Sequence, residues 1–359
     1  MMSQISKKHT EACRFCWMCR HLCPVGLATG REVNTPRAKA LLLSMVDRGE
    51  EFDQDIAQAM YECVLCGSCT NDCVTGFDPT VFIREARTMA AVEDLLPKAV
   101  EEIIANISNT GNIYGIQKPK YTGTAAKAEV LLYIGEVAAC KQPAMAAAVM
   151  SLLKKAGISF TVLEDEPASA TFMGDLIGFV EDVRAQAEVC ANAINAVGAK
   201  TVVVLDSYEA ATMKQRYPEW NCTINADLVT ASSFIAGLIE EGKLIPKKLT
   251  GEVTYHDDSR LARDLDEHEP VRNIIKAMGL NLQEMFLNRR MAKCCGSELL
   301  KAYAPNLADL TAEGRWEDVN RTTADTLVVV SPQVMNVMGA KVPSDKQIKD
   351  LYVLLDQNC

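Results

Sequence analysis

Two runs of four cysteines, each packed into eleven residues, constrain this chain more than any other feature. The first is Cys13, Cys16, Cys19 and Cys23 in CRFCWMCRHLCP; the second is Cys63, Cys66, Cys69 and Cys73 in CVLCGSCTNDCV. The spacing C-x2-C-x2-C-x3-C wraps a [4Fe–4S] cube. Three thiolates reach three corners from one tight loop, and the fourth points away to complete a second cluster. Two copies supply reciprocal ligands. The expected sets are Cys13, Cys16, Cys19 and Cys73 for one cluster, and Cys63, Cys66, Cys69 and Cys23 for the other. Pro24 follows its cysteine as the motif expects, while Val74 stands at that place in the second run and removes no ligand. Zinc modules instead hold two close pairs apart, so that a tetrahedron closes over a fold. Two cubes shielded by Phe15, Trp17 and Leu65 form a relay for single electrons, with no coordination position left for a substrate.

Composition narrows the setting. A net charge of -10 argues against a nucleic-acid binder, which needs a basic face for phosphates. No run reaches the roughly 18–20 apolar residues of a membrane helix. The start, MMSQISKKHTEACRF, has no apolar stretch of the secretory kind, so a cytoplasmic protein is expected. In that compartment fourteen cysteines are metal ligands or buried thiols rather than disulfides.

Three textures follow one another. Residues 1–100 carry both runs among helix signals: Thr35 as N-cap with Pro36 behind it and Gly49 past the end, then Asp78 with Pro79. The expectation is an all-α two-cluster ferredoxin-like domain. Residues 101–126 are rich in Gly, Thr and Lys and read as a linker. From residue 127 an α/β pattern occurs twice. AEVLLYIGE matches GEVTYHDDS, MSLLKKAGISFTVLE matches IIKAMGLNLQEMF, and AKTVVVLDS matches ADTLVVVSP, with offsets of 122, 122 and 125 residues. Constant offsets indicate an internal duplication into lobes 127–245 and 246–359, each with buried parallel strands between helices.

Paired runs followed by a duplicated α/β region containing KCCGS make the chain resemble the CCG family of iron–sulfur proteins. That family includes the heterodisulfide reductase catalytic subunit and the iron–sulfur subunits of glycolate oxidase and anaerobic glycerol-3-phosphate dehydrogenase. YHD at 255–257, EHEPVRNIIKAMGLNLQEM, EDEP and RYPEW look like its framework. The resemblance implies a lone Cys, a CCG and a C-x-x-C in each lobe, a set that can hold a disulfide-cleaving cluster. Most of those thiols are absent here. Their places are taken by Glu136, by ASA at 168–170, by Asp206 and Glu209, and in the second lobe by Ser259, Ser331 and Val334. Only Cys294 and Cys295 remain, so heterodisulfide chemistry is not carried over.

The substituted positions raise two questions. Glu136, Asp206 and Glu209 read as hydrated or cation-paired carboxylates, with an oxygen site for Mg²⁺ or Ca²⁺ as the alternative. Cys294 and Cys295 read as a remnant or as a loop meeting a partner's cofactor; the alternative is a single metal, such as zinc, held with His256 and Asp257. Arg14, Arg20 and Arg31 beside the first run read as solvated surface, and so does His21 within it. His9 and His268 are too far apart in sequence from the others to suggest a triad, and Cys140, Cys190, Cys222 and Cys359 read as ordinary thiols. No nucleotide-binding glycine motif is present.

The expected function is an electron-transfer subunit of a multi-subunit oxidoreductase. It relays electrons between a partner flavoprotein carrying FAD or FMN, such as a dehydrogenase or an electron-transfer flavoprotein, and another carrier. The rival expectation is a catalytic subunit acting on a thiol, disulfide or quinone at Cys294, Cys295 and His256.

Overall fold

The computed structural model describes residues 2–121, 125 and 127–359. Its amino-terminal part is built from helices: α1 (Gln4–Ala12), α2 (Pro24–Thr29), α3 (Pro36–Asp47), α4 (Gln54–Tyr61), α5 (Ser68–Asp72), α6 (Pro79–Val92) and α7 (Lys98–Thr110). The caps explain where they begin. Thr35 accepts from the Ala38 amide, Asp53 from Ile56 and Asp78 from Thr80, each satisfying an amide that the first helical turn leaves free. The segment expected as a linker, 101–126, begins inside α7. Val100, Ile103 and Ile107 of that helix are buried at helical spacing, which outweighs the turn-forming composition that follows. Residues 122–124 and 126 of the same segment lie outside the described residues.

Eight short strands follow: β1 (Val130–Tyr133), β2 (Phe160–Thr161), β3 (Thr201–Val204), β4 (Asp227–Thr230), β5 (Glu252–Tyr255), β6 (Asn281–Leu282), β7 (Thr326–Val329) and β8 (Gln347–Asp350). They form two four-stranded parallel sheets, ordered β2-β1-β3-β4 and β6-β5-β7-β8. Alternation along the strands places the first sheet between two cores. Leu131, Tyr133, Val202 and Val204 face the amino-terminal helices and pack with Phe82, Ile83 and Ala86. Leu132 and Val203 point the other way and share a core with Tyr255 and Val328 of the second sheet. The helical part is therefore welded onto the first sheet, and the two sheets onto each other.

The weld includes buried polar contacts. Tyr61 donates its hydroxyl to the Leu176 carbonyl at 2.7 Å, and Tyr303 donates to the Tyr61 carbonyl at 2.7 Å. Gly178 has φ +69, and a Cβ there would sit 2.4 Å from the Arg84 carbonyl, so only glycine lets this loop approach α6. The Asp175 carboxylate accepts from Arg84 at 3.2 Å and from Arg260 at 3.4 Å, joining α6, the helix Thr171–Ile177 and the second α/β segment. Asp175→Ala would leave Arg84 without a carboxylate. Breaking such a pair is expected to cost about 3 kcal/mol. A fall in the urea midpoint checks this; an unchanged midpoint would show that the pair does not hold the junction.

Candidate metal centres

Both cysteine runs adopt the same unusual backbone. Phe15 and Trp17 have φ of 53 and 72, and their counterparts fifty residues on, Leu65 and Gly67, have 50 and 71. Three of these four are not glycine, and each such residue costs about 1 kcal/mol or more unless its surroundings impose the conformation. The repeated left-handed kinks turn the thiols of each run inward. They also aim amides at sulfur: Phe15 N–H lies 3.5 Å from Cys13 Sγ, Leu65 N–H 3.4 Å from Cys63 Sγ, and Gly26 N–H 3.4 Å from Cys23 Sγ.

The chain crosses between the runs. Thr75, just beyond Cys73, lies 3.2 Å from Cys73 Sγ and donates to the Ala12 carbonyl at 2.9 Å, immediately before Cys13. In the other direction Asn34, whose carbonyl accepts from Cys23 Sγ, donates its side chain to Glu62 beside Cys63. The electrostatics follow the same crossing. Burial pushes the Cys19 thiol up to about 11, and the neighbours that add to it are Cys13, Cys16 and Cys73. Burial also pushes Cys23 up to about 12, with Cys63 and Cys66 adding. Burial, then Cys66, Cys63 and Cys23, raise Cys69, with Cys19 of the first run adding last. Burial acts on Cys73 too, but hydrogen bonds from Thr75 and the Phe77 amide hold it below the ordinary thiol range. Thiols crowded this way repel as thiolates until a positive core is present, which is the environment a cluster needs.

The two runs differ in exposure. Cys16, Phe15, Trp17 and Met18 are exposed, with Phe15 at 48% and Met18 at 53%. Arg37 stacks on the Trp17 ring at 3.6 Å and Arg20 at 5.0 Å, so this rim is aromatic and basic. Arg14, Arg31 and His21 are exposed beside it. Cys66 and Cys69 are instead buried, and three cations close around their loop. Lys39 Nζ donates to the Val33 and Ala59 carbonyls, Arg87 to Met60 and Cys63, and Arg263 to Cys66 and Ala292. Sequence reading missed all three. The signal was there for two of them: Lys39 falls on the buried stripe Pro36, Ala40, Leu43, and Arg87 on the stripe Ile83, Ala86, Ala90.

The remnant KCCGS packs against the second run. Cys294 shares an apolar cluster with Val64 and Cys66, and its Sγ donates to the Gly296 carbonyl at 3.2 Å. The zinc alternative fails on geometry. His256 Nδ1 accepts from Arg315 Nε at 3.0 Å, and burial followed by the charges of Arg315 and Arg263 holds the imidazole neutral. Asp257 is engaged by Arg272 at 2.8 and 2.9 Å and by the Arg289 amide. Among the described residues no three His, Cys, Asp or Glu side chains converge as a single ion requires. A cube sets no such requirement, because each thiolate binds a different iron. His9 lies on the helical side with its Nδ1 3.1 Å from the Gly76 carbonyl, while His268 pairs with Asp266.

The carboxylates of the first α/β segment also correct an expectation. Glu136, Asp206 and Glu209 are buried and make no ion pair among the described residues, rather than being hydrated or paired. Glu136 accepts from the Ile113 amide, Asp206 from Gln333 and Tyr208, and Glu209 from Ser169. Burial pushes Glu136 up to about 8 and Asp206 to about 7, and raises Glu209 further still with Asp206 and Glu166 adding. Burial therefore favours their protonated forms, and among the described residues the three do not converge as a group that could hold an ion. Nearby Glu166 of EDEP accepts from the Ile134 and Gly135 amides at 2.7 and 2.8 Å, fixing the loop after β1. Cys190 and Cys222 are buried, and Cys140 and Cys359 half-buried.

Residues 9–77 match the model of a 4Fe-4S dicluster domain. The chain is 26% identical to one subunit of the dihydromethanophenazine:CoB–CoM heterodisulfide reductase of Methanosarcina acetivorans, over 99% of this chain and 95% of that protein. It is 24% identical to EtfAB:quinone oxidoreductase of Syntrophomonas wolfei over 86% of its length, but spans only 46% of that longer protein. In fold it resembles the crystal structure of a hypothetical protein from Helicobacter pylori, with a TM-score of 0.62, 10% identity, and coverage of 99% of this chain and 73% of that one.

Proposed function

We propose that this chain, which carries a 4Fe-4S dicluster domain and is similar to a heterodisulfide reductase subunit of the CCG iron–sulfur family, is the electron-transfer subunit of an oxidoreductase complex. The observation that carries the reading is the crossed proximity of eight cysteines on two loops of the same backbone shape. We read Cys13, Cys16, Cys19 and Cys73 as one ligand set and Cys63, Cys66, Cys69 and Cys23 as the other. When bound, the clusters supply reversible one-electron reduction. The residues hold thiolates, donate amide hydrogen bonds to sulfur and exclude water from the inner loop.

The finer architecture fits this role. We read residues 1–100 as a helical two-cluster domain, and 127–245 and 246–359 as two copies of one lobe, since both sheets have the same strand order. The lobes serve as a body carrying the relay. No helix among the described residues is long and apolar enough to cross a membrane, and fourteen thiols suit the reducing cytoplasm.

The partner is read as a flavoprotein carrying FAD or FMN. Its docking face is the rim of Phe15, Trp17 and Met18 around exposed Cys16, edged by Arg14, Arg20 and Arg31. A basic rim on a chain of net charge -10 favours a partner with acidic groups beside its flavin. Anaerobically loaded protein should contain about eight irons per chain and show ordinary cubes only. Reduction by a co-purified flavoprotein should slow several-fold between low and high salt, as screening removes the steering. A third iron centre, or zinc in place of iron, would overturn the reading; salt-independent transfer would remove the basic rim from it.

A further inference from the structure

Lys39 and Arg87 are each 1% exposed and Arg263 is 8% exposed, yet among the described residues none of the three lies within 4.0 Å of a carboxylate. Their hydrogen bonds run to backbone carbonyls, two of them those of Cys63 and Cys66 at the ends of the inner loop. Glu62 acts on Lys39, and Asp175 on Arg87, only from beyond ion-pair distance, because the Glu62 carboxylate is engaged by Asn34 and that of Asp175 by Arg84 and Arg260. Arg263 Nη2 is buried and has no hydrogen-bond partner among the described residues. A buried cation without a directly paired carboxylate is unfavourable enough that a fold keeps it best beside an anion. Three of them around one loop call for a multiply charged anion there.

We propose that Lys39, Arg87 and Arg263 are the counter-charges of the second cluster in its reduced form, so that an electron rests on this inner centre rather than on the exposed first one. This builds on the two-cube relay proposed above. Four thiolates around a cubane core leave a formal charge of about −2 when oxidised and about −3 after one electron is added. Three cations match the second state. The first ligand set has no comparable shell. Arg37 beside it is paired with Glu32 at 2.5 Å, and Arg14 is exposed, where water screens its charge. The polarity follows. In the loaded protein, an electron received from a reduced partner flavin would pass from the centre held by Cys13, Cys16, Cys19 and Cys73 to the one held by Cys63, Cys66, Cys69 and Cys23, the first being oxidised by one electron as the second is reduced by one, with no bond or proton changing hands. An electron held at the inner loop lies beside Cys294 and the α/β lobes, away from solvent.

The test is an anaerobic potentiometric titration of the loaded full-length chain followed by electron paramagnetic resonance. Thiol protection in Cys73→Ser and Cys69→Ser variants assigns each signal to its cluster. Two one-electron steps are expected, with the upper step belonging to the second cluster. Arg263→Gln should weaken reduction of that centre about tenfold, or about 59 mV for one electron, and leave the first step in place. Arg263→Lys should restore most of the shift, because it keeps the charge while losing the planar fork. Should Arg263→Gln fail to load, Lys39→Gln makes the same measurement on another element. The proposal falls if the upper step belongs to the first cluster, or if the charge-removing variants move neither step or both equally. Wild-type protein without about eight irons would instead overturn the relay reading itself.

Discussion

Cys73→Ser is expected to empty the cluster of the first run, sixty residues away in sequence, and to spare the one its own run encloses. The reason is geometric. Thr75 ties the chain after Cys73 to the Ala12 carbonyl at 2.9 Å, and the Cys73 charge acts on Cys13 and Cys19. Serine places a poorer ligand at that corner, so iron should fall from about eight to about four per chain. Alkylation of the loaded protein followed by peptide mapping gives the assignment. Cys13, Cys16 and Cys19 should become reactive while Cys63, Cys66 and Cys69 stay protected. The reciprocal variant Cys23→Ser should expose Cys63, Cys66 and Cys69, since Cys23 faces Cys63 and Cys66. If each substitution instead exposed the remaining thiols of its own run, the crossed ligand sets would be wrong.

The second large effect is on stability against pH. Burial holds Glu136 up to about 8 and Asp206 to about 7, and Glu209 well above its usual range. In the unfolded chain such groups titrate near 4. Between those values the native state binds more protons than the unfolded state, so the contribution is full below about pH 4, falls as pH rises toward the folded values and levels off above them. Each group contributes a slope of about 1.4 kcal/mol per pH unit across its own window. Unfolding by urea under anaerobic conditions should therefore show a loss of about 3 kcal/mol or more between pH 6 and 9. Glu136→Gln keeps the neutral hydrogen-bonding shape and should flatten the curve, with its largest gain at the alkaline end. A curve that is flat or rises over this range would mean that the carboxyls are ionised in the fold.

These carboxyls also show why the site was only partly legible beforehand. The positions of Glu136, Asp206 and Glu209, as replacements for family cysteines, could be read from the motif. Their protonation could not, because it depends on neighbours from distant segments: Ser169 on Glu209, Gln333 on Asp206, and the Ile113 amide on Glu136. Asp257 and Arg272 belonged to stretches recognised as framework, but only folding brings them into a two-bond pair that withholds the aspartate from any metal.

Local sequence specifies the ligand spacing, the capped helices that frame the two loops, and three of the four strands of each sheet, while the less buried β4 and β8 went unread. Each of these is written in neighbouring residues: thiols two or three positions apart, Thr35 or Asp78 ahead of a proline, apolar runs that alternate between two faces. Tertiary structure alone decided which cysteine faces which loop, that Cys294 lies against Cys66, and that Lys39, Arg87 and Arg263 surround the inner loop without carboxylate partners. The physical reason is range. Spacing and capping act over one turn of chain, whereas burial and the charge that balances it depend on every segment packed within a few ångströms.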